Sequence, residues 1–467
     1  MRPPDNVLYS ELIVEEMGLP SRKKSDTNSW ISHPFIAAVS VASKKLNPMS
    51  ESPSNLVSTP SFFRHVFFSA PHRVMFFSGA VQGLLTVLFW AVDLGARYAS
   101  LYSEMSWPVP ASWLHAVLMI YGFFSFYFFG FLMTALPKWV SAKEVPRRLY
   151  LTAFLLLAGG WFLFYAGLFM PLGIPFPSIA LLLVAAGWLV VTYALFLAIR
   201  GGDNPDKRHA KAVIVVLLLG WVGVLSFVCV FAAPVFAGTV ARLGIEIGIW
   251  GFLLPVFNTV THRVLPFFTG NVLSPYTVYR PMGLLWILFA CLFAHGAGEV
   301  GGMQSWLWLP DSIAAAVCFW FSWKWQLRRS FVSHLLAMHH VAHLWQGIAL
   351  SLYAARSVAH SLGVDMGGLA PLHVLTLGYF TSLLIGMATR VSLGHSGRPI
   401  NSDVWGWRLF WCFQGIVLLR FVGEFLNLPG FMNLFWWSAV LWVVIFALWG
   451  CVYVPMYLAP RPDGRSG

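Results

Sequence analysis

Charge is what this chain has least of. Of its 467 residues only 10% are Asp, Glu, Lys or Arg, and the acids number 18 in all. So few carboxylates argue against calcium or proton paths lined by acids through a membrane, and no carboxylate pair of glycosidase type stands out. Cysteine is scarce too. Cys229, Cys291, Cys318, Cys412 and Cys451 are scattered singly with no CxxC pair, which excludes a disulfide framework or a thiolate zinc site and leaves them as small apolar side chains. A Walker motif, a GxGxxG fingerprint, a triad context and the HExxH of zinc hydrolases are all missing. No basic and aromatic RNA-binding motif is present. A cleavable leader is not expected, because the first strongly apolar segment arrives only after Ser61.

What is abundant is apolar surface. The chain is 58% hydrophobic with 40 Phe and 23 Trp, and its apolar residues gather into runs of about 20, the length that crosses hydrocarbon as a helix. A soluble protein would expose such residues as large patches, whereas lipid accepts them and Trp is favoured at its interface. The expected fold class is all-α, a polytopic membrane helix bundle with about twelve transmembrane helices. The spans lie near 74–95, 113–136, 149–170, 177–199, 211–233, 243–262, 281–300, 310–328, 335–354, 370–389, 408–427 and 434–457. They form a transmembrane domain over 69–467. Residues 1–68 mix charge, Ser and Pro and are expected to be a cytosolic, weakly ordered segment with a short amphipathic helix over Asn6 to Leu19.

Loops after even-numbered spans carry Lys138, Lys143, Arg147, Arg148, Arg200, Lys207, Arg208, Lys211, Arg263, Arg280, Lys324, Arg328, Arg329, Arg390, Arg398 and Arg408. Those after odd-numbered spans hold only Arg97, Arg242 and Arg356. By the positive-inside tendency both termini are expected in the cytoplasm, and the net charge of +12 needs no nucleic acid partner.

This orientation sorts the histidines by depth. His115, His295, His360 and His373 fall near the outer face. His72, His262, His334, His339, His340, His343 and His395 fall near the inner one, and His209 in a cytosolic loop there. A histidine inside an apolar span is costly without a partner. His115 and His373 share similar settings, WLHAVLMIYG and PLHVLTLGYF, early in spans 2 and 10. Neutral imidazole ligates haem iron or copper, and two rings at equal depth would clamp a haem edge-on to the membrane. The plainer alternative is that each hydrogen-bonds a neighbouring carbonyl.

In MHHVAHLWQG, His340 or His339 shares a helix face with His343, which offers a second ligand pair, against an interfacial role for each ring. His72 and His262 lie at similar depth. Arg420 and Glu424, four apart in span 11, read either as an intrahelical ion pair or as an arginine for a haem propionate at the level of His115 and His373. Asp311 after Pro310 reads as a helix N-terminal residue. The polar stretch Ser392 to Pro399 reads as a helix stop at Gly394 followed by a turn, with an anion cradle around Arg398 as the alternative.

The strings HVLTLGYFTSLLIGMATRVSLGHSGRPI, HRVLPFFTG, WLHAVLMIYGFFSFYFFGFLMTALPKW and HRVMFF resemble the NnrS family of bacterial multi-pass membrane proteins, from about His72 to the end. TRVSLGHSGRP, Thr389 to Pro399, is the most specific. The resemblance implies haem, of b type, and copper as cofactors, and a role in the response to nitric oxide and nitrosative stress in the bacterial cytoplasmic (inner) membrane. The family's HAHEM is here His115, Ala116, Val117, Leu118 and Met119, so a site needing both of its histidines is not expected.

The twelve spans with histidines early in spans 2 and 10 also look like the main subunit of haem/copper oxidases. The copper histidines of spans 6 and 7 have no recognisable counterpart, so oxygen reduction is not expected. The expected function is a haem or haem/copper protein acting on nitric oxide by binding or by redox chemistry, with His115 and His373 as axial ligands, Arg420 beside them, and His340, His343 and His72 as further metal candidates. The alternatives are a multi-pass transporter of a metal, haem or small anion, and an assembly protein for a nitric oxide enzyme.

Overall fold

A backbone amide in hydrocarbon has no water to bond, so a segment crossing a bilayer alone must satisfy its amides internally, as a helix does. The computed structural model describes residues 66–463 apart from 171–174, 402–403 and 427, and among the described residues it contains helices and no strand. The segment expected over residues 1–65, with its short amphipathic helix, lies outside them.

Twelve long helices stand where the twelve spans were expected. They are α1 (Pro71–Arg97), α2 (Ala111–Trp139), α3 (Arg147–Phe169), α4 (Pro175–Gly201), α5 (Arg208–Ala232), α6 (Ala237–Val272), α7 (Met282–Val300), α8 (Trp308–Lys324), α9 (His334–Ser361), α10 (Ala370–His395), α11 (Val404–Gly423) and α12 (Leu434–Tyr453). Nine of these described helices are long and apolar enough to cross a membrane, which makes the chain a multi-pass membrane protein. The other three are α8, of 17 residues, α9, which carries five histidines, and α11, which carries Arg408 and Arg420.

Proline marks the starts of five of the twelve helices. Pro71 and Pro371 stand in the first turns of α1 and α10, and Pro110, Pro146 and Pro281 immediately precede α2, α3 and α7, positions where a missing amide costs nothing. Asn433 caps α12 by accepting from the amides of Phe435 and Trp436. α10 runs to His395, past Arg390 and Gly394. Its polar residues stay inside because each finds a partner: Thr389 accepts from Trp449 Nε1 at 2.9 Å, Ser392 meets the Tyr457 hydroxyl at 2.7 Å, and Arg390 lies 3.8 Å over the Phe268 ring.

Among the nine apolar helices α2, α6 and α10 are the most enclosed, with 83%, 67% and 72% of their central windows buried against 28% for α3. They meet through one phenylalanine each. Phe124 of α2, Phe257 of α6 and Phe380 of α10 have ring centroids 4.6 to 5.9 Å apart in all three pairings. Each of these helices also carries a π-helical stretch: Leu118–Phe123, Ile247–Leu253 and Val374–Thr381. α3, α4 and α5 turn Leu155, Phe162, Ile179, Leu182 and Val215 outward, the apolar exterior lipid requires.

Tyr121, in the first π-helical stretch, donates to the Gly244 carbonyl at 2.5 Å. A Cβ on Gly223 would lie 1.9 Å from its hydroxyl, and one on Gly248 2.6 Å. Gly223→Ala is therefore expected to lower the melting temperature in detergent, at a cost of about 1–3 kcal/mol for overpacking. Gly159→Ala, with nothing within 4 Å of the added carbon, is expected to leave melting unchanged or raise it.

Candidate functional site

α2 and α10 start at the same end of the bundle and bring His115 and His373 to one level. His373 lies within electrostatic reach of His115, and both lie within reach of Arg420 on α11. The His115 ring stacks on Trp90 of α1 at 4.4 Å and 14°, and its Nδ1 is buried without a partner. His373 Nδ1 donates to the Leu369 carbonyl at 3.0 Å, which places the hydrogen on Nδ1 and leaves Nε2 as a lone-pair donor. Both rings are only half-buried, although Leu114, Val117, Val374 and Leu375 beside them are fully enclosed. The imidazoles are thus less enclosed than the apolar residues next to them in the chain.

Arg420 and Glu424 form the expected i,i+4 ion pair, at 2.6 Å with both side chains buried, and the guanidinium lies 4.1 Å over the Phe435 ring. Gly368, at φ +45°, packs so closely that a Cβ would sit 2.6 Å from Glu424 Oε2. Glycine is required there by both conformation and space.

At the other end, His340 Nε2 meets Thr269 Oγ1 at 3.0 Å. That hydroxyl gives its own hydrogen to the Leu265 carbonyl, so His340 is the donor and its Nδ1 lone pair is left buried without a partner. His339 Nδ1 donates to the Leu335 carbonyl at 2.6 Å. His343 has both ring nitrogens buried and unpartnered, with Trp325 4.8 Å away. His209, expected in a loop, instead starts α5 and is buried, its Nε2 3.0 Å from Nδ1 of His262. His72 packs on His395, ring to ring at 4.4 Å. Among the described residues no three His, Cys, Asp or Glu side chains converge as a metal-holding group.

A further cluster, not anticipated as a site, lies at the His373 end. His295 of α7 pairs with Asp311 of α8 at 2.6 Å and stacks on Trp250 of α6 at 3.6 Å. The two residues are sixteen apart on separate helices, so no periodicity joins them. The only signal in the sequence was that both fall at the same predicted level.

The buried ion pair gives a stability test. Arg420→Leu alone strands the Glu424 carboxylate and is expected to destabilise by about 3–5 kcal/mol. The double variant Arg420→Leu/Glu424→Leu is expected to recover most of that loss. Thermal unfolding in detergent checks both.

A comparison with curated proteins finds no match. The family model described as NnrS protein matches residues 66–461. That match takes in nearly every described residue, α1 through α12, and the chain belongs to the NnrS family.

Proposed function

We propose that the protein is a haem-binding protein of the bacterial inner membrane that serves the response to nitric oxide, and that His115 and His373 are the residues that would hold the haem iron. The observation that carries this reading is a pair of half-buried imidazoles at one level on α2 and α10, beside a buried guanidinium. The donor set suits the group. His373 presents Nε2 because Leu369 holds its Nδ1 hydrogen, and His115 is oriented by Trp90. Arg420 offers a cation for a propionate, while Glu424 balances its charge when none is there.

Haem, when bound, supplies an iron whose ferrous state takes up nitric oxide. The chain's part is to hold the rings in place and to exclude water, with Leu114, Val117, Val374 and Leu375 packed around them. Nitric oxide is small and uncharged, so it can arrive through lipid without a polar channel. His115, with no partner on Nδ1, is the less tethered of the two rings.

Copper fits less completely. His340 and His343 are the proposed pair, since His343 has both nitrogens unpartnered and His340 has Nδ1, but two imidazoles fall short of the three or four ligands such metals usually take. His72 is a separate candidate, held against His395. We place both termini in the cytoplasm and His115 and His373 toward the outer face, from the loop charges.

Purified protein is expected to show a Soret band that shifts on adding nitric oxide, with iron found by elemental analysis. His115→Ala and His373→Ala should each lower haem content several-fold or turn a low-spin spectrum high-spin. Wild-type spectra in both variants would refute the ligand assignment. A colourless protein with metal-dependent flux would favour the transporter reading instead.

A further inference from the structure

Beside the His373 end lies a cavity of about 330 Å³ that the haem reading does not use. His295, Glu299, Tyr353 and Arg356 stand in its wall, and the exposed His360 and Asp365 stand at its rim. His295 is 1% exposed, and its Nε2 has no hydrogen-bond partner; Asp311 is equally buried and its Oδ2 has none either. An orphaned buried polar atom is costly, so two in one dyad, one of them in a cavity wall roomy enough for several waters, point to use.

We propose that His295, backed by Asp311, is a proton-exchange site facing this cavity. A hydronium ion in the cavity gives its proton to His295 Nε2; one O–H bond breaks, one N–H bond forms, and the Nδ1 hydrogen stays on His295, donated to Asp311. The reverse step returns the proton to water, and no electrons move. Both protonation states are provided for. Neutral imidazole still donates from Nδ1 to Asp311 at 2.6 Å. Imidazolium gains the full charge of that carboxylate and the face of Trp250 at 3.6 Å.

The charged groups facing the dyad come from every element around it: Arg242 and Glu246 of α6, Glu299 of α7, Arg356 and His360 of α9, and Asp365 in the loop before α10. Glu299 lies 3.8 Å from His295 Nε2, yet Arg356 holds it at 3.2 Å and Arg242 at 3.9 Å. Two guanidiniums on Glu299, the carboxylate on the Nε2 side, disfavour a metal ion there and leave the proton as the cation to be carried.

The same arginine ties the cavity to the proposed haem site. Arg356 donates to the Gly368 carbonyl at 3.3 Å, and the next carbonyl, Leu369, accepts from His373 Nδ1 at 3.0 Å. A change of charge on an iron held by His373 is therefore expected to alter proton occupancy at His295. This coupling rests on the haem reading; the proton site itself does not.

Two measurements on the full-length purified protein separate them. Infrared difference spectra across a pH titration should show imidazole converting to imidazolium, with the signal lost in His295→Gln, displaced in Asp311→Asn and restored in Asp311→Glu. The haem reduction potential should fall with rising pH, approaching about 59 mV per tenfold change in proton concentration where one proton follows one electron, and His295→Gln should flatten that slope. An unchanged slope and unchanged infrared bands in His295→Gln would overturn the proposal. Should that variant fail to fold, wild-type protein with isotope-labelled histidine decides: no histidine band that titrates, or none that responds in Asp311→Asn, also overturns it. A preparation without haem would sink the haem reading alone, and the infrared titration would still judge the proton site.

Discussion

Three phenylalanines meeting at the centre of the bundle hold the rest in place. Within lipid there is no hydrophobic drive between one helix and the next, so close packing must fix which helices touch. Phe124, Phe257 and Phe380 do this for α2, α6 and α10 at once. Each of those helices then delivers something above or below that contact. α2 and α10 carry His115 and His373 toward one end, α6 sets Trp250 under His295, and Tyr379, next to Phe380, reaches toward His343 with ring centroids 6.2 Å apart. The aromatic contact thus also separates the two levels of histidine.

Much of this was legible in the sequence because lipid imposes simple rules. The apolar runs marked all twelve helices, and loop charge put His115 and His373 at one level before any contact was known. The i,i+4 spacing of Arg420 and Glu424 was enough to pair them. What stayed hidden depends on contacts between distant segments. Asp311 at the start of α8 looks like a helix-start residue and is one, by position, but its carboxylate is committed to His295. His395, within the stretch read as a stop and a turn, is the last residue of α10 and packs on His72 at the other end of the chain. His209 looked solvated because Lys207, Arg208 and Lys211 surround it, yet a single contact with His262 keeps it inside. The scarcity of acids says nothing of where the few lie, and Glu246, Glu299 and Asp311 all lie within electrostatic reach of Tyr353.

Histidine is a costly residue to bury in this environment, and the chain meets the cost unevenly. His339 and His373 each donate to a carbonyl one turn back on the same helix, and His340 donates to Thr269. His115, His295 and His343 each keep at least one ring nitrogen buried and unpartnered. A partner on one ring nitrogen fixes the orientation of the imidazole, as at His373, His340 and His295, and the nitrogen left without one is where a ligand, a metal or a proton would complete the ring.

The π-helical stretches of α2 and α10 begin within three residues of His115 and His373. Such a stretch holds an extra residue relative to an α-helix, and one residue is worth about 100° of rotation about the axis. In α2, Phe124 follows the stretch and keeps the face that meets Phe257, while His115, before it, is turned to a different azimuth; in α10, Phe380 lies within the stretch and His373 just before it. Such a stretch therefore acts as an angular offset that lets one face of a helix serve the core while the imidazole points elsewhere. In α2 a single-residue deletion there would leave the Phe124 contact where it is and swing the His115 ring out of register, so the length of that segment sets the direction of the imidazole without setting the core.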